Sequence, residues 1–258
     1  MTQTLKQRQQ SYESAYDLNI IPRLPVILKL DGWNFSRVTK YVEKPFCNKT
    51  MAVMTGTMIA LAKQIENVIF GYQYSDKIIL VLKNNNPNYD PWFNNSIQDL
   101  CSISSGLATD AFRTNYLNLP DPQELDSPFV FRTHAFALPD VNETINYLIY
   151  SQISCYHEAV TNAALSKVQP SDLHDKNIDD RKKILNDFGI DFDKFYPSEF
   201  RNGTAIYLTP SLIDTPQGQI TRHKWLLDVD IVQFIENKQF LSTILNTGSD
   251  IFRPERDL

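Results

Sequence analysis

The sequence predicts an α+β fold of the ferredoxin-like, split βαβ type, followed by a helical C-terminal extension. Three observations predict it. Apolar β-rich runs and helix-periodic segments alternate in the order β-α-β-β-α-β over the first half of the chain. The second and third β-runs are separated only by a tight turn, which makes them an antiparallel hairpin. After the last of these strands, Pro139-Asp140 opens another helix, and helical segments continue beyond it. With 258 residues, 42% of them hydrophobic, the chain can bury a sizeable core. We divide it into a palm-like catalytic unit over residues 1–140 and a helical portion over 141–258 that serves RNA contact or oligomerisation.

Each element has its own signal. Residues 5–19 read as a polar helix ending near Asn19, and Pro22 and Pro25 then open a first strand over about 25–31. An irregular stretch runs from Gly32 through Lys44-Pro45-Phe46. Asn48 is placed to cap a helix in which Met51, Met54, Met58, Leu61 and Ile65 recur at helical spacing. Asn67–Tyr74 and Lys77–Lys83 are the hairpin strands, with Ser75 and Asp76 at its tip, and Asn84–Asp90 is a loop. A second helix spans about Pro91–Tyr116, and after a Pro/Asp-rich connection a strand covers about Pro128–Ala137. The third helix runs toward residue 165.

Charge and cysteine usage narrow the function classes. A formal charge of −5 and a pI near 5.4 give no global attraction to polyphosphate. Any nucleic acid must be held by a local basic patch or by the pooled surface of an oligomer. Three cysteines, Cys47, Cys101 and Cys155, lie scattered without CxxC spacing and read as reduced and intracellular. The polar N-terminus lacks the apolar core of a signal peptide, and no segment approaches roughly 18 uncharged apolar residues. The expectation is a soluble cytoplasmic protein with no membrane partner. The glycosylation-like triplets at Asn48, Asn94, Asn142 and Asn202 carry no weight there.

Two carboxylates stand at the ends of apolar runs: Asp31, followed by Gly32, and Asp76, between Ser75 and Lys77. In a split βαβ sheet the first strand and the central hairpin are neighbours, so both aspartates come to one edge. Two converging oxygen donors are what a two-Mg²⁺ site for nucleotide chemistry requires, and the Gly32 carbonyl adds a further oxygen. The competing reading is structural: Asp-Gly and Ser-Asp are ordinary turn dipeptides.

Pro25-Val-Ile-Leu-Lys-Leu-Asp-Gly-Trp-Asn-Phe35, Lys44-Pro45-Phe46, Gly71-Tyr-Gln-Tyr-Ser-Asp76, Asp90-Pro-Trp-Phe, Phe136-Ala-Leu-Pro139, Leu173-His174, Gly189-Ile190 and Arg201-Asn202-Gly203 follow one another in a characteristic order and spacing. In these the chain resembles the tRNA-His guanylyltransferase-like proteins, the 3′-to-5′ reverse polymerases, and is closer to bacterial and archaeal-type members than to eukaryotic ones. The resemblance runs from about Arg8 to Leu208. It implies a polymerase-palm fold and a metal-dependent nucleotidyltransferase that adds nucleotides to the 5′ end of tRNA, in 5′-end repair or tRNA-His guanylylation. GTP and ATP are the implied triphosphates, and a homotetramer the implied assembly. Position by position, Asp31, Gly32 and Asp76 would hold two Mg²⁺ ions. Trp33, Asn34, Phe35, Ser36 and Ser75 would line the nucleotide pocket, with Lys29 and Lys44 on phosphate oxygens. Without the family context, Phe35 is equally a core aromatic and Lys44 a solvated charge.

The departures bear on the same chemistry. The usual Ser-Asp-Glu reads Ser75-Asp76-Lys77, which replaces a carboxylate by a cation, and an arginine usually two residues before the first aspartate is Lys29. A phosphate-contacting lysine aligns with Asp99, an arginine with His134, and Trp-Arg-Gln with Tyr150-Ser151-Gln152. Tyr156-His157-Glu158-Ala159 stands where eukaryotic members have His-Ile-Asn-Asn. Two other classes stay open: a catalytically weakened protein that binds RNA or nucleotide, and a palm-fold cyclase or signalling-nucleotide synthase that needs no RNA. His157, His174 and His223 show no metal-ligand spacing, and Arg181-Lys182-Lys183 is read first as a solvated helix face, second as an RNA contact. Beyond Gln219 the resemblance fades.

Overall fold

The computed structural model describes residues 3–247 apart from 41, 85–89, 123–127 and 216–217. In chain order the elements are α1 (Leu5–Ser14), β1 (Val26–Trp33), α2 (Phe35–Val38), α3 (Asn48–Gln64), β2 (Val68–Tyr74), β3 (Lys77–Leu82), α4 (Ile97–Leu117), β4 (Val130–Ala137), α5 (Val141–Leu165), α6 (Ile178–Asp187), α7 (Phe192–Phe195), α8 (Ser198–Asn202), β5 (Thr204–Thr215), β6 (Gly218–Asp228) and α9 (Lys238–Thr247). The expected loop at Asn84–Asp90 lies over 85–89 outside the described residues. Cys47, rather than Asn48, occupies the N-cap of α3.

The strands form one sheet in the order β4-β1-β3-β2-β5-β6, every neighbouring pair antiparallel. Its first four strands have the ferredoxin-like order that the split βαβ pattern implies. Alternation along the strands separates two cores. Val26, Leu28, Leu30, Ile78, Leu80 and Leu82 face Met54, Met58 and Leu61 of α3 and Leu100 and Phe112 of α4. Ile27, Ile79, Val81, Phe70 and Tyr72 face Leu148 and Ile149 of α5 and Leu241 and Leu245 of α9. β2 is buried along its whole length, and its run of apolar and aromatic residues shows little alternation for that reason.

The C-terminal portion, read as helical, is helical from α5 to Asn202 and then contributes two long strands. Pro210 lies within β5, where a proline cannot donate to a ladder. It is tolerated because β5 pairs with β2 only over Thr204–Tyr207, so the open flank of β5 at Pro210 asks for no donor. The stretch beyond Gln219 is core rather than appendage: Ile231, Phe234, Leu241, Ile244 and Leu245 fill the second face of the sheet. Gln152 of α5 bolts this return in place. Its amide donates to the carbonyls of Asn202 at 3.3 Å and Val232 at 3.1 Å, and its oxygen accepts the Phe234 N–H at 2.7 Å.

The junction into β5 depends on Gly203, with φ +78°. A Cβ there would lie 2.7 Å from the Gln73 carbonyl oxygen and from the Tyr72 ring, which itself donates its hydroxyl to Asn202 O at 2.6 Å. Gly203→Ala therefore combines left-handed strain with overlap against the central strand. We expect a loss of about 2–4 kcal/mol, read as a lower denaturation midpoint at unchanged slope. A change under about 0.5 kcal/mol, the size of an ordinary surface substitution, would show that the backbone relaxes freely here.

Candidate active site

β1 ends and the β2–β3 hairpin turns at the same edge of the sheet. Asp31 stands opposite Lys77 in the β1–β3 ladder, and the Gly32 N–H donates to the Asp76 carbonyl at 3.1 Å. The two aspartates are thus held side by side by backbone pairing, with side chains only 14% and 24% exposed. Ser75 forms the turn with φ +51°, and the Gln73 amide donates to its carbonyl at 3.1 Å. Gly32 has a steric reason as well: a Cβ would come within 2.9 Å of Phe35 and 3.0 Å of Phe129.

Each carboxylate has a cation on it. Arg132 of β4, directly opposite Asp31, donates Nε and Nη2 to Asp31 Oδ2 at 3.1 and 2.5 Å, and His134 Nε2 lies 4.0 Å from Oδ1. These hydrogen bonds and the nearby charge raise the guanidinium above its ordinary pKa. Lys77 Nζ sits 3.2 Å from Asp76 Oδ1 and 2.8 and 3.0 Å from the two oxygens of Glu158 on α5. Burial lowers the Lys77 pKa, but Asp76 and Glu158 outweigh it and the net shift is upward, so the ammonium stays charged.

Beside this edge opens a cleft of about 520 Å³, within the range of small-molecule sites. Phe35, Ser36, Lys44, Ser75 and Asp76 line it, as does the first turn of α3 with Cys47 and Thr50; α5 supplies Cys155 and Glu158 on the far wall. Phe35 is core and cleft at once: its ring lies edge-on to Phe129 and Phe112 with centroids at 5.7 and 6.2 Å, and it also lines the cleft. Asn34 caps α2 in a left-handed conformation, and Trp33, 47% exposed, stands opposite Val130 at the end of β1. Lys29 shares the Asp31 face of β1, opposite His134. Lys29, Asp31, Gly32, Trp33 and Asn34 belong to the rim of the sheet edge rather than to the cleft lining. Asp99 lies in the first turn of α4, which packs on the opposite face of the sheet.

The sequence reading missed Glu158 and Arg132. Glu158 stood only as part of a replaced motif, yet a cation at position 77, half-buried beside Asp76, demands a counter-charge from elsewhere in the fold. Arg132 lies two residues before His134 and so on the same face of β4. The arginine missing from 134 is therefore present one same-face step away. The basic cluster is internally engaged: Arg181 donates to Thr161 at 2.6 Å, Lys182 to Asp193 at 2.6 Å and Lys183 to Asp180 at 3.3 Å.

A family model described as tRNAHis guanylyltransferase (Thg1) matches residues 6–139, just over half of the chain, including both aspartates. The chain belongs to the tRNAHis guanylyltransferase family. Among curated relatives, tRNA(His) guanylyltransferase 2 of Arabidopsis thaliana is 22% identical over 204 residues, covering 74% of this chain and 37% of the plant protein. The chain thus spans little more than a third of that relative. A bacterial tRNA(His) guanylyltransferase (Thg1)-like protein, solved in complex with ATP, superposes with TM-score 0.81 at 23% identity, over 94% of this chain and 99% of that one. The Saccharomyces cerevisiae tRNA(His) guanylyltransferase superposes with TM-score 0.67 at 17% identity, over 88% of this chain and 98% of that one. At these identities the superpositions establish a common fold. β6 and α9, where sequence resemblance fades, lie within a fold that the bacterial family protein covers almost throughout.

The cleft also separates two thiols of this family member. Burial alone would raise Cys47, but donors from Thr50 and the Lys49 backbone reverse the effect and hold its pKa below that of an ordinary cysteine. Burial pushes Cys155 up to about 12. Since the thiolate is the nucleophile, Cys47 should alkylate with iodoacetamide at a half-maximal pH below that of free cysteine, while Cys155 stays unmodified in the native protein up to about pH 9. Peptide mapping that found both modified at the same rate would contradict this electrostatic difference.

Proposed function

We propose that this chain is a metal-dependent nucleotidyltransferase that adds nucleotides to the 5′ end of tRNA in the 3′-to-5′ direction, in 5′-end repair or tRNA-His guanylylation. The observation that carries the reading is the pairing of Asp31 and Asp76 across one backbone hydrogen bond, beside a nucleotide-sized cleft, in a chain of this family. Its triphosphates would be ATP and GTP, since a bacterial family protein was solved with each.

The donor chemistry fits Mg²⁺. Among the described residues no three or more His, Cys, Asp or Glu side chains form a metal-binding group. Mg²⁺ does not need one, because it takes one or two carboxylates and completes its shell with waters and substrate phosphates. Asp31, Asp76 and the Gly32 carbonyl are the oxygens that would hold two ions. When bound, the ions supply charge neutralisation and orientation to the triphosphate. Lys44, Ser75 and Ser36 on the cleft wall would bind and orient the nucleotide, and Lys29 and His134 would face its phosphates from the sheet. The tRNA 5′ phosphate would first displace pyrophosphate from a nucleoside triphosphate to form a phosphoanhydride. The 3′ hydroxyl of the incoming nucleotide would then attack the tRNA 5′ phosphorus, breaking that anhydride, releasing the nucleoside monophosphate and losing its proton to solvent. A homotetramer would pool positive surface around one tRNA, against the −5 charge of each chain. No helix among the described residues is long and apolar enough to cross a membrane, and a cytoplasmic site of action accords with the reduced cysteines.

One observation favours a second reading, a protein that binds nucleotide or RNA without turnover: a cation already occupies each carboxylate. Incorporation of labelled triphosphate into a 5′-truncated tRNA with Mg²⁺ separates the two. We expect 5′ extension that falls at least about 100-fold in Asp31→Ala and Asp76→Ala, the scale set by loss of one preorganised electrostatic group. Nucleotide binding without extension would leave only the second reading. Triphosphate consumption in a control without RNA would point to a cyclase or signalling-nucleotide synthase.

A further inference from the structure

The two cations at the sheet edge are held differently. Lys77 is half-buried, its ammonium seated closer to both oxygens of Glu158 than to Asp76 and 5.2 Å above the Tyr74 ring. It is a fixed charge. The Arg132 side chain is 60% exposed on the edge strand β4, whereas Asp31, to which it reaches, is 14% exposed. Its Nε and Nη2 converge on the single oxygen Oδ2, so the fork does not take the two-oxygen grip that makes arginine–carboxylate pairs strong. This guanidinium reaches in from solvent and is poised to leave.

Any metal that approaches Asp31 meets that positive charge on the same carboxylate. A triphosphate entering with the metal offers the guanidinium a richer anion, with bidentate oxygen pairs that Asp31 does not give it here. We propose that Arg132 is a shuttling phosphate ligand: it neutralises Asp31 while the cleft is empty and transfers to the triphosphate when nucleotide and divalent cation enter together. The inference rests on the nucleotidyl-transfer reading of the site. Its consequence is an ordered cleft. Metal alone binds poorly because Arg132 competes for Asp31, and metal with triphosphate binds well because the competitor has become a ligand.

The test uses the full chain and Mn²⁺ as probe, with free ion followed by its paramagnetic resonance signal, and a separate titration with a fluorescent non-hydrolysable triphosphate. In Arg132→Gln, affinity for Mn²⁺ alone should rise on the order of tenfold over wild type, while affinity for the triphosphate falls by a similar factor. Arg132→Lys keeps the charge without the fork. It should leave Mn²⁺ binding near wild type and still weaken the triphosphate, which keeps the idea testable if the glutamine variant does not fold. Asp31→Asn should remove the Mn²⁺ gain in the double variant. A residue that merely props up the strand would weaken both ligands together. If Mn²⁺ and triphosphate bind but Arg132→Gln leaves the affinity for Mn²⁺ alone unchanged or lower, the shuttle is overturned and the nucleotidyl reading stands. If wild type binds neither the triphosphate nor Mn²⁺ in its presence, both fall together.

Discussion

One backbone hydrogen bond, from the Gly32 N–H to the Asp76 carbonyl, sets the geometry on which the candidate site depends. It closes the β1–β3 ladder at its last step and brings two acidic side chains from segments some forty residues apart to the same edge. Left to themselves, two carboxylates would separate by repulsion. Here the main chain fixes their spacing, and the side chains answer with counter-ions rather than distance. The buried aromatic cluster beneath supports that edge: Phe35, Phe112, Phe129 and Phe131 pack ring to ring directly under Gly32. A fully buried phenylalanine contributes roughly 1.5–3 kcal/mol. The edge is therefore carried by core packing and is not a loop left to find its own position.

The sheet has two faces with separate duties. The α3–α4 face holds the part of the fold that pattern recognition finds readily, because its strands alternate and its helices keep a clear apolar stripe. The other face, which a bare split βαβ unit would leave open, is closed by α5 and by the chain's return through α9. The cleft lies where these two layers meet, with α3 contributing one wall and α5 the other. Its electrostatics accordingly mix groups from both halves of the sequence.

This division explains what could be read in advance. Asp31 and Asp76 were legible because each ends a dense apolar run at a turn, a signal carried by adjacent residues. Met54, Met58 and Leu61 were legible from spacing alone. β5 and β6 were not: Pro210 interrupts one, and Arg222, His223 and Lys224 interrupt the other, features that suit strands reaching past the body of the sheet. The acidic partner of Lys77 was invisible for a different reason. Glu158 lies 81 residues away on a helix, and no local pattern links the two until the fold supplies the contact.

That long-range pair has a consequence for how such chains diverge. A glutamate at 77 beside the present Glu158 would gather three acids around one turn, and a neutral residue at 158 beside the present Lys77 would leave an ammonium pulling on Asp76 alone. Residues 77 and 158 share one ion-pair network with Asp76, so the effect of substituting either depends on the other, which is epistasis between positions in contact. The identity of residue 77, taken alone, is therefore a poor gauge of whether a lineage has abandoned its chemistry. It gains meaning only when residue 158 is read with it.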